Sequence, residues 1–160
     1  MTIKVGDKIP AATLQEMGAD GPTDISTTDL FKGKTVVVFG LPGAFTPTCS
    51  AQHVPGFKAL APQFKAKGVD DIVCLSVNDA FVMGAWGKDQ AVGNTMRMMG
   101  DGSADLTHKM GLELDLVARG LGVRCARFAM VVKDGVVQSI DVEAPGAFEV
   151  SSAEAQLSKL

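Results

Sequence analysis

Several residue types are scarce in this chain, and each shortage argues against a class of protein. The 160 residues include three cysteines, two histidines, one tryptophan and no tyrosine. Three cysteines are too few for the disulfide framework of a small secreted protein, and two histidines make a four-ligand zinc site hard to assemble. The net charge of −3 leaves no basic footprint for nucleic acid. The scarce residues therefore indicate neither a disulfide scaffold, nor a zinc protein, nor a nucleic-acid binder.

Long apolar segments are also missing. No stretch approaches the roughly 18 unbroken apolar residues of a membrane span, and residues 1–8 lack the apolar core of a signal peptide. We therefore expect a cytoplasmic protein in a reducing compartment. Apolar residues make up 46% of the chain, which has no repeat or linker, so residues 1–160 most simply form one domain.

The most informative stretch joins a buried strand to a helix. Residue 35 is a threonine and residues 36–39 are all apolar, so residues 35–39 predict the strand. A loop with two glycines and two prolines follows, and Thr46-Pro47 is typical of a helix start, with Thr46 as the N-cap. Cys49 then lies in the first helical turn, where free N–H groups and the helix dipole favour a thiolate. The alternative is an unreactive buried cysteine at the joint.

The other elements follow from periodicity and turn residues. Strands are predicted around residues 12–17, 24–26, 71–77 and 94–99, and helices at 47–66, 81–88 and 105–110, the first of them kinked at Pro55. A hairpin joins residues 123–133 and 136–142 through Asp134-Gly135. Ser151-x-x-Glu154 is a capping box that opens a final helix. This order predicts a thioredoxin-like α/β fold, with residues 1–33 as an N-terminal extension packed on the main sheet.

The motif Pro42-x-x-x-Thr46-x-x-Cys49 resembles the active site of the peroxiredoxins, which are thiol peroxidases. Residues 42–57 are similar to the type II, or atypical two-Cys, branch, and further matching segments follow at 76–86, 101–105 and 127–132. The resemblance implies a thioredoxin-like fold with a central mixed β-sheet flanked by helices. It also implies a hydroperoxide substrate, a homodimer, and no metal, haem or flavin cofactor.

Four residues are expected to carry the catalysis. Cys49 is the nucleophile, and Arg127, which matches the arginine of the family's Arg-Phe-x-Met-Val segment, is the cation beside it. We expect the Thr46 hydroxyl to lie near the sulfur and the peroxide; it could also act purely as a cap, and the two roles are compatible. Pro42 is expected to shield the thiolate from water. The alternative for Arg127 is a solvated strand face. Arg124 is a less favoured cation, since strand alternation places it on the opposite face from Arg127.

The chain has two histidines, the side chains that usually titrate near neutral pH. His53 lies one helical turn after Cys49, so it could be a metal ligand or a base beside the nucleophile. The only other histidine, His108, is far along the chain. We favour a structural or supporting role for His53.

Oxidised Cys49 must be resolved by a second thiol. Cys74 is typical of a buried packing cysteine in a strand, although the resemblance to plant type II peroxiredoxins implies a resolving cysteine at this position. We favour an external thiol, glutathione with glutaredoxin, and thioredoxin also remains a candidate reductant. Alternation places Cys125 on the same face as Arg127, close to the pocket, and we interpret it as a cysteine without a redox role.

The large rings of Phe45, Phe81 and Trp86 lie near the loops and suit either the core or the centre of the implied dimer interface. Together these features predict a peroxidase that reduces hydrogen peroxide and small alkyl hydroperoxides through a Cys49 sulfenic acid. A thiol–disulfide oxidoreductase is disfavoured because the chain has no Cys-x-x-Cys pair. A non-enzymatic redox sensor or holdase that uses the same thiol remains an alternative.

Overall fold

The computed structural model describes all residues, 1–160, and is built on a seven-stranded sheet. The strands are β1 Thr13–Gly18, β2 Gly21–Ser26, β3 Thr35–Leu41, β4 Asp71–Ser76, β5 Arg97–Gly100, β6 Glu113–Leu116, β7 Gly122–Cys125, β8 Phe128–Lys133 and β9 Val136–Val142. The helices are α1 Thr27–Phe31, α2 Val54–Ala66, α3 Ala80–Asp89, α4 Asp105–Lys109 and α5 Ala153–Leu157. A π-helical segment, Cys49–His53, precedes α2, and a short 3₁₀ turn, Val117–Arg119, follows β6.

The main sheet has the strand order β2-β1-β5-β4-β3-β8-β9. Strands β3, β4 and β5 are parallel to one another, whereas β1, β2, β8 and β9 pair antiparallel with their neighbours. Helices flank this mixed sheet, so the predicted thioredoxin-like α/β fold is confirmed. The N-terminal extension differs from the prediction, because β1 and β2 join the edge of the sheet instead of packing on it. No helix is long and apolar enough to cross a membrane.

Both faces of the sheet are buried, as the continuous apolar run of β3 predicts. Phe39 points to the face covered by α2 and α3, where the rings of Phe57, Phe64 and Trp86 are fully buried. Val38 points to the other face, in a second core on the side of α1 and α4. The Phe39 and Phe57 rings stack with centroids 4.1 Å apart, which fixes the start of α2 on the centre of the sheet.

The helix that carries Cys49 starts where the sequence predicts. The Ser50 N–H donates to the Thr46 carbonyl at 2.9 Å, which is the first helical hydrogen bond. The next turn widens into the π-helical segment, in which the Val54 N–H donates to the Cys49 carbonyl. Pro55 has no N–H to continue the regular ladder. The disturbance predicted at Pro55 therefore takes the form of a π-bulge in the preceding turn.

Two boundaries in the C-terminal part differ from the prediction. The hairpin around Asp134 and Gly135 is confirmed, with the positive φ values of 49° and 78° that its tight turn requires. Residues 123–133, however, do not form one strand: β7 pairs with β6 in a separate two-stranded sheet, and only β8 joins the main sheet. The last helix is capped by the Ser152 side chain and not by Ser151, whose hydroxyl bonds to Glu143.

Candidate active site

The loop that follows β3 is tied to the loop that follows β4. The Asn78 amide oxygen accepts hydrogen bonds from the Ala44 N–H at 3.0 Å and from the Ser76 hydroxyl at 2.6 Å. Between Ala44 and the helix, Phe45 adopts a left-handed backbone conformation with φ of 64°, which is unusual for an aromatic residue. This loop holds the start of the helix, and with it Cys49, at the carboxyl edge of the parallel strands.

Cys49 has no exposed surface, and its sulfur is paired with a guanidinium. Arg127 Nη2 donates to Cys49 Sγ at 3.1 Å, from the residue just before β8. The backbone N–H groups of Thr48 and Cys49 have no hydrogen-bond partner within the protein, as expected of the first turn of a helix. The sulfur therefore lies between a permanent cation and the positive end of a helix, and both favour negative charge.

The Thr46 side chain bonds to the loop and not to the helix. Its hydroxyl donates to the Gly43 carbonyl at 2.7 Å, and its own N–H points at the same oxygen at 3.4 Å. Since that hydroxyl proton is used, the lone pairs of the oxygen are left to accept. The cap predicted for the Thr46 side chain is not formed, because its oxygen accepts no hydrogen bond from an N–H group of the first turn.

Arg127 is held in place by His53. Arg127 Nη1 donates to His53 Nδ1 at 2.9 Å, and the opposite ring nitrogen, Nε2, lies 2.9 Å from the Ser151 carbonyl. Burial and the neighbouring Arg127 charge lower the pKa of His53 to about 3. The ring is therefore neutral at neutral pH, with its proton on Nε2, because Nδ1 must accept.

This arrangement leaves neither nitrogen of His53 free to bind a metal or act as a base. Nowhere in the protein do three or more His, Cys, Asp or Glu side chains come together as metal ligands. Of the roles open at the sequence level, the geometry favours support of Arg127.

The buried histidine has a consequence for stability at low pH. Because the folded state disfavours protonated His53, this contribution to stability is complete above about pH 6.5 and is lost as the pH falls from 6.5 towards 3. We expect the free energy of unfolding to drop by about 2 kcal/mol between pH 7.5 and about pH 5. Urea denaturation at both pH values should show this drop in the wild type and a much smaller one in His53→Gln. Equal drops in the two proteins would contradict the assignment.

A small cavity lies beside the guanidinium. It has a volume of about 130 Å³ and is lined by Pro42, Thr48, Leu114, Ala126, Arg127 and residues 143–147. The Phe148 ring packs 5.9 Å from the Arg127 guanidinium carbon and 5.1 Å from the centre of the His53 ring. Arg127 therefore borders both the sulfur and the cavity, and Pro42 of the active-site loop lines the same cavity.

Arg124 also reaches the active-site loop, contrary to the expectation from strand alternation. Its Nη1 donates to the Pro42 carbonyl at 3.1 Å and its Nε to the Leu121 carbonyl at 2.8 Å. The alternation fails because β7 ends at Cys125, and Arg127 lies in the connection to β8. Arg124 supports the loop, and Arg127 alone contacts the sulfur.

Neither of the other two cysteines forms a hydrogen bond with Cys49 or Arg127. Cys74 is fully buried in β4, opposite Phe39 of β3 and in the same core as Cys49, and burial raises the pKa of its thiol. Cys125 lies in the second core, and burial raises the pKa of that thiol to about 12. The placement of Cys125 beside the pocket was therefore wrong. All three cysteines are free thiols.

The three aromatic residues assigned to a dimer interface divide into two groups. Phe45 is 53% exposed and Phe81 is 67% exposed, so both rings can meet another surface. Trp86 has no exposed surface, and its indole N–H donates to the Ser50 hydroxyl at 3.1 Å. The assignment of Trp86 to an interface was wrong, because the ring is fully buried in the core and its N–H has a hydrogen-bond partner there.

The fold and this geometry together define a class. A cysteine in the first turn of the helix that follows a central strand, on a thioredoxin-like sheet, is the arrangement of the thioredoxin-like thiol proteins. The Redoxin family pattern matches residues 4–157. Peroxiredoxin-2B of Arabidopsis thaliana is 50% identical over 153 residues, which cover 95% of this chain and 94% of that protein. The chain therefore belongs to the Redoxin family, and within it to the type II peroxiredoxins, which are thiol-dependent peroxidases.

Solved structures agree with this placement. A crystal structure of reduced Prx3 from Vibrio vulnificus in complex with H₂O₂ has a TM-score of 0.95 and 48% identity, and covers 99% of each chain. A crystal structure from Burkholderia cenocepacia with the provisional name thioredoxin reductase has a TM-score of 0.98 and 55% identity, and covers 100% of this chain and 99% of that one. The fold is thus shared closely along the whole length.

Proposed function

We propose that this chain reduces hydrogen peroxide and small alkyl hydroperoxides with Cys49 as the nucleophile. The thiolate attacks the terminal hydroxyl oxygen, an S–O bond forms and the O–O bond breaks. The leaving oxygen takes up a proton from solvent and departs as water or alcohol, while the sulfur keeps the hydroxyl as a sulfenic acid. The hydrogen bond from Arg127 Nη2 to Cys49 Sγ at 3.1 Å is the observation that carries this proposal.

The surrounding groups have distinct roles in the proposed reaction. The Thr46 hydroxyl, whose proton is donated to Gly43, accepts a hydrogen bond from the peroxide O–H and so orients the attacked oxygen. The Cys49 N–H and the Arg127 guanidinium are donors for the charge that develops on the oxygens. Pro42, at the edge of the cavity, limits access of water to the sulfur.

We further propose that an external thiol, and not Cys74, resolves the sulfenic acid. A Cys49–Cys74 disulfide needs Cα atoms within about 7 Å and suitably directed side chains. Both cysteines are fully buried, and the Cys74 thiol lies in the middle of a paired strand with a raised pKa. Glutathione with glutaredoxin is the favoured reductant and thioredoxin the alternative. We place this activity in the cytosol, where such thiols are abundant.

The proposed function is tested by steady-state reduction of hydrogen peroxide, with glutathione/glutaredoxin and thioredoxin supplied separately. We expect turnover with glutathione/glutaredoxin and its retention in Cys74→Ser, with Cys125→Ser as the matched buried-cysteine control. Mass spectrometry of the protein treated with peroxide in the presence of glutathione should find glutathione on Cys49. Loss of turnover in Cys74→Ser, with turnover kept in Cys125→Ser, would contradict resolution by an external thiol. Stable oxidation without turnover in the wild type would instead indicate a redox sensor.

We also propose that the chain acts as a homodimer of single-domain subunits. The exposed rings of Phe45 and Phe81 lie on the active-site loop and at the start of α3, and rings of this kind suit the centre of an interface. Trp86 supports Phe45 from inside the fold, with the two ring centroids 6.3 Å apart.

A further inference from the structure

The end of β9 carries a carboxylate that holds a distant segment of the chain. Glu143 follows β9 and is only 8% exposed. Its Oε2 accepts three hydrogen bonds: from the Ser151 hydroxyl at 2.7 Å, from the Ser151 N–H at 2.8 Å and from the Glu149 N–H at 2.8 Å. Burial by itself would raise the pKa of this carboxyl, but the Ser151 and Glu149 bonds outweigh it and lower the pKa. Residues 149–151 are therefore folded around a charged acceptor.

The same segment reaches the sulfur through a continuous series of hydrogen bonds. The Ser151 carbonyl accepts the His53 Nε2–H at 2.9 Å, which keeps the ring proton on that nitrogen. His53 Nδ1 is then free to accept from Arg127 Nη1, and the other arm of the guanidinium donates to Cys49. The Glu143 N–H also donates to the Arg127 carbonyl at 2.9 Å. Glu143 thus contacts Arg127 through its backbone and, through Ser151 and His53, holds the far side of the guanidinium.

We propose that Glu143 is a positioning residue for the peroxide reaction: it fixes Ser151, and through it the His53 tautomer, so that Arg127 is directed at the Cys49 sulfur. This inference rests on the proposed function. The Glu143 carboxylate forms its hydrogen bonds with Ser151 and Glu149, and none with the sulfur or the guanidinium. If the segment loosens, the ring is free to place its proton on Nδ1. An N–H on that nitrogen faces the Arg127 N–H and removes the acceptor, so the guanidinium is no longer fixed.

The variant Glu143→Gln removes the negative charge and replaces the carboxylate that accepts three hydrogen bonds with a neutral amide. We expect the second-order rate constant for hydrogen peroxide to fall about tenfold or more, since hydrogen bonds to charged groups carry effects of this size. Alkylation of Cys49 by iodoacetamide, which needs a thiolate but no oriented donors, should change less than about threefold. Nitrogen NMR of the His53 ring should show one tautomer in the wild type and a mixture in the variant.

Asp141→Asn is the matched control. Asp141 lies two residues earlier on β9 and accepts hydrogen bonds from Gln156 Nε2 at 2.9 Å and from Lys159, so it holds α5 to the sheet. Asp141 forms no hydrogen bond with Glu143, Ser151, His53 or Arg127, and it meets the segment 149–151 only indirectly, through Gln156 Nε2, which also donates to the Val150 carbonyl at 3.1 Å. We expect Asp141→Asn to keep the peroxide rate constant within about twofold, even where it lowers stability.

Ser151→Ala is the second variant, because Glu143→Gln could fail to fold. It removes one of the three donors and keeps the Ser151 carbonyl, so we expect a loss of about threefold with a partial shift of the His53 tautomer. A peroxide rate constant within twofold of wild type in both variants, with the His53 signal unchanged, would overturn the inference. An equal loss in Asp141→Asn would also overturn it. A wild type that reduces no peroxide would instead refute the proposed function.

Discussion

Thr46→Val is expected to slow the reduction of hydrogen peroxide about a hundredfold while leaving the rate of Cys49 alkylation nearly unchanged. The hydroxyl donates to the Gly43 carbonyl and has only lone pairs to offer the substrate. Valine has a similar shape but cannot accept the peroxide O–H, and the loss of one preorganised polar contact in an active site costs about 10²–10³-fold in rate. Sulfur ionisation depends on Arg127 and the helix start, which this change leaves in place.

Stopped-flow kinetics with peroxide, run beside iodoacetamide alkylation of the same protein, separate the two effects. Thr46→Ser is the matched control, because it keeps the hydroxyl and removes only the methyl group. We expect Thr46→Ser to retain most of the peroxide rate. If Thr46→Val slowed alkylation as much as peroxide reduction, the hydroxyl would act on ionisation and the assigned role would be wrong.

Arg127→Gln is expected to have the larger effect, a loss of about a thousandfold in the peroxide rate constant. A free thiol with pKa about 8.5 is only a few per cent ionised at pH 7. A guanidinium in contact with the sulfur interacts with negative charge more strongly than a helix end does, because it carries a full charge and not a partial one. Arg127→Gln removes both the positive charge beside the sulfur and a donor to the peroxide oxygens, and we expect the two losses together to reach about a thousandfold.

Unlike Thr46→Val, this variant should lower alkylation as well as peroxide reduction. Arg127→Lys tests charge against geometry, because lysine keeps the cation but cannot donate to His53 and to Cys49 through a planar fork. We expect Lys to restore much of the alkylation rate and little of the peroxide rate. Recovery of both rates in Arg127→Lys would show that a positive charge alone is sufficient for the reaction, and that the planar geometry of arginine is not needed.

Local sequence signals predicted the centre of the site because they act over a few residues. Thr46-Pro47 starts the helix, and the distance of three residues from Thr46 puts Cys49 in the first turn, as observed. The turn at Asp134-Gly135 was equally local, since both positions need positive φ. The approach of Arg127 to Cys49 depends on contacts between distant strands, and it was expected only from the family resemblance.

The predictions failed where a rule that holds within one strand was applied past the end of that strand, or where a contact joins distant parts of the chain. Strand alternation was counted from Arg124 to Arg127 although a connection between two sheets separates them, so the sides assigned to Arg124 and Cys125 were wrong. Trp86 was placed at an interface because sequence cannot show that Ser50 lies within reach of its indole N–H. The contacts between Glu143 and Ser151 gave no sequence signal, since they close the nine-residue segment 143–151 on itself.

In the proposed reaction, peroxide oxidises the sulfur of Cys49, which is paired with Arg127. The most direct measurement is a single turnover of the fully reduced protein with one equivalent of hydrogen peroxide, followed by trapping of sulfenic acid and mass spectrometry. We predict one trapped sulfenic acid, on Cys49, formed at the rate of peroxide loss, and no peroxide loss above background in Cys49→Ser. Oxidation first at Cys74 or Cys125, or unchanged peroxide consumption by Cys49→Ser, would contradict the account.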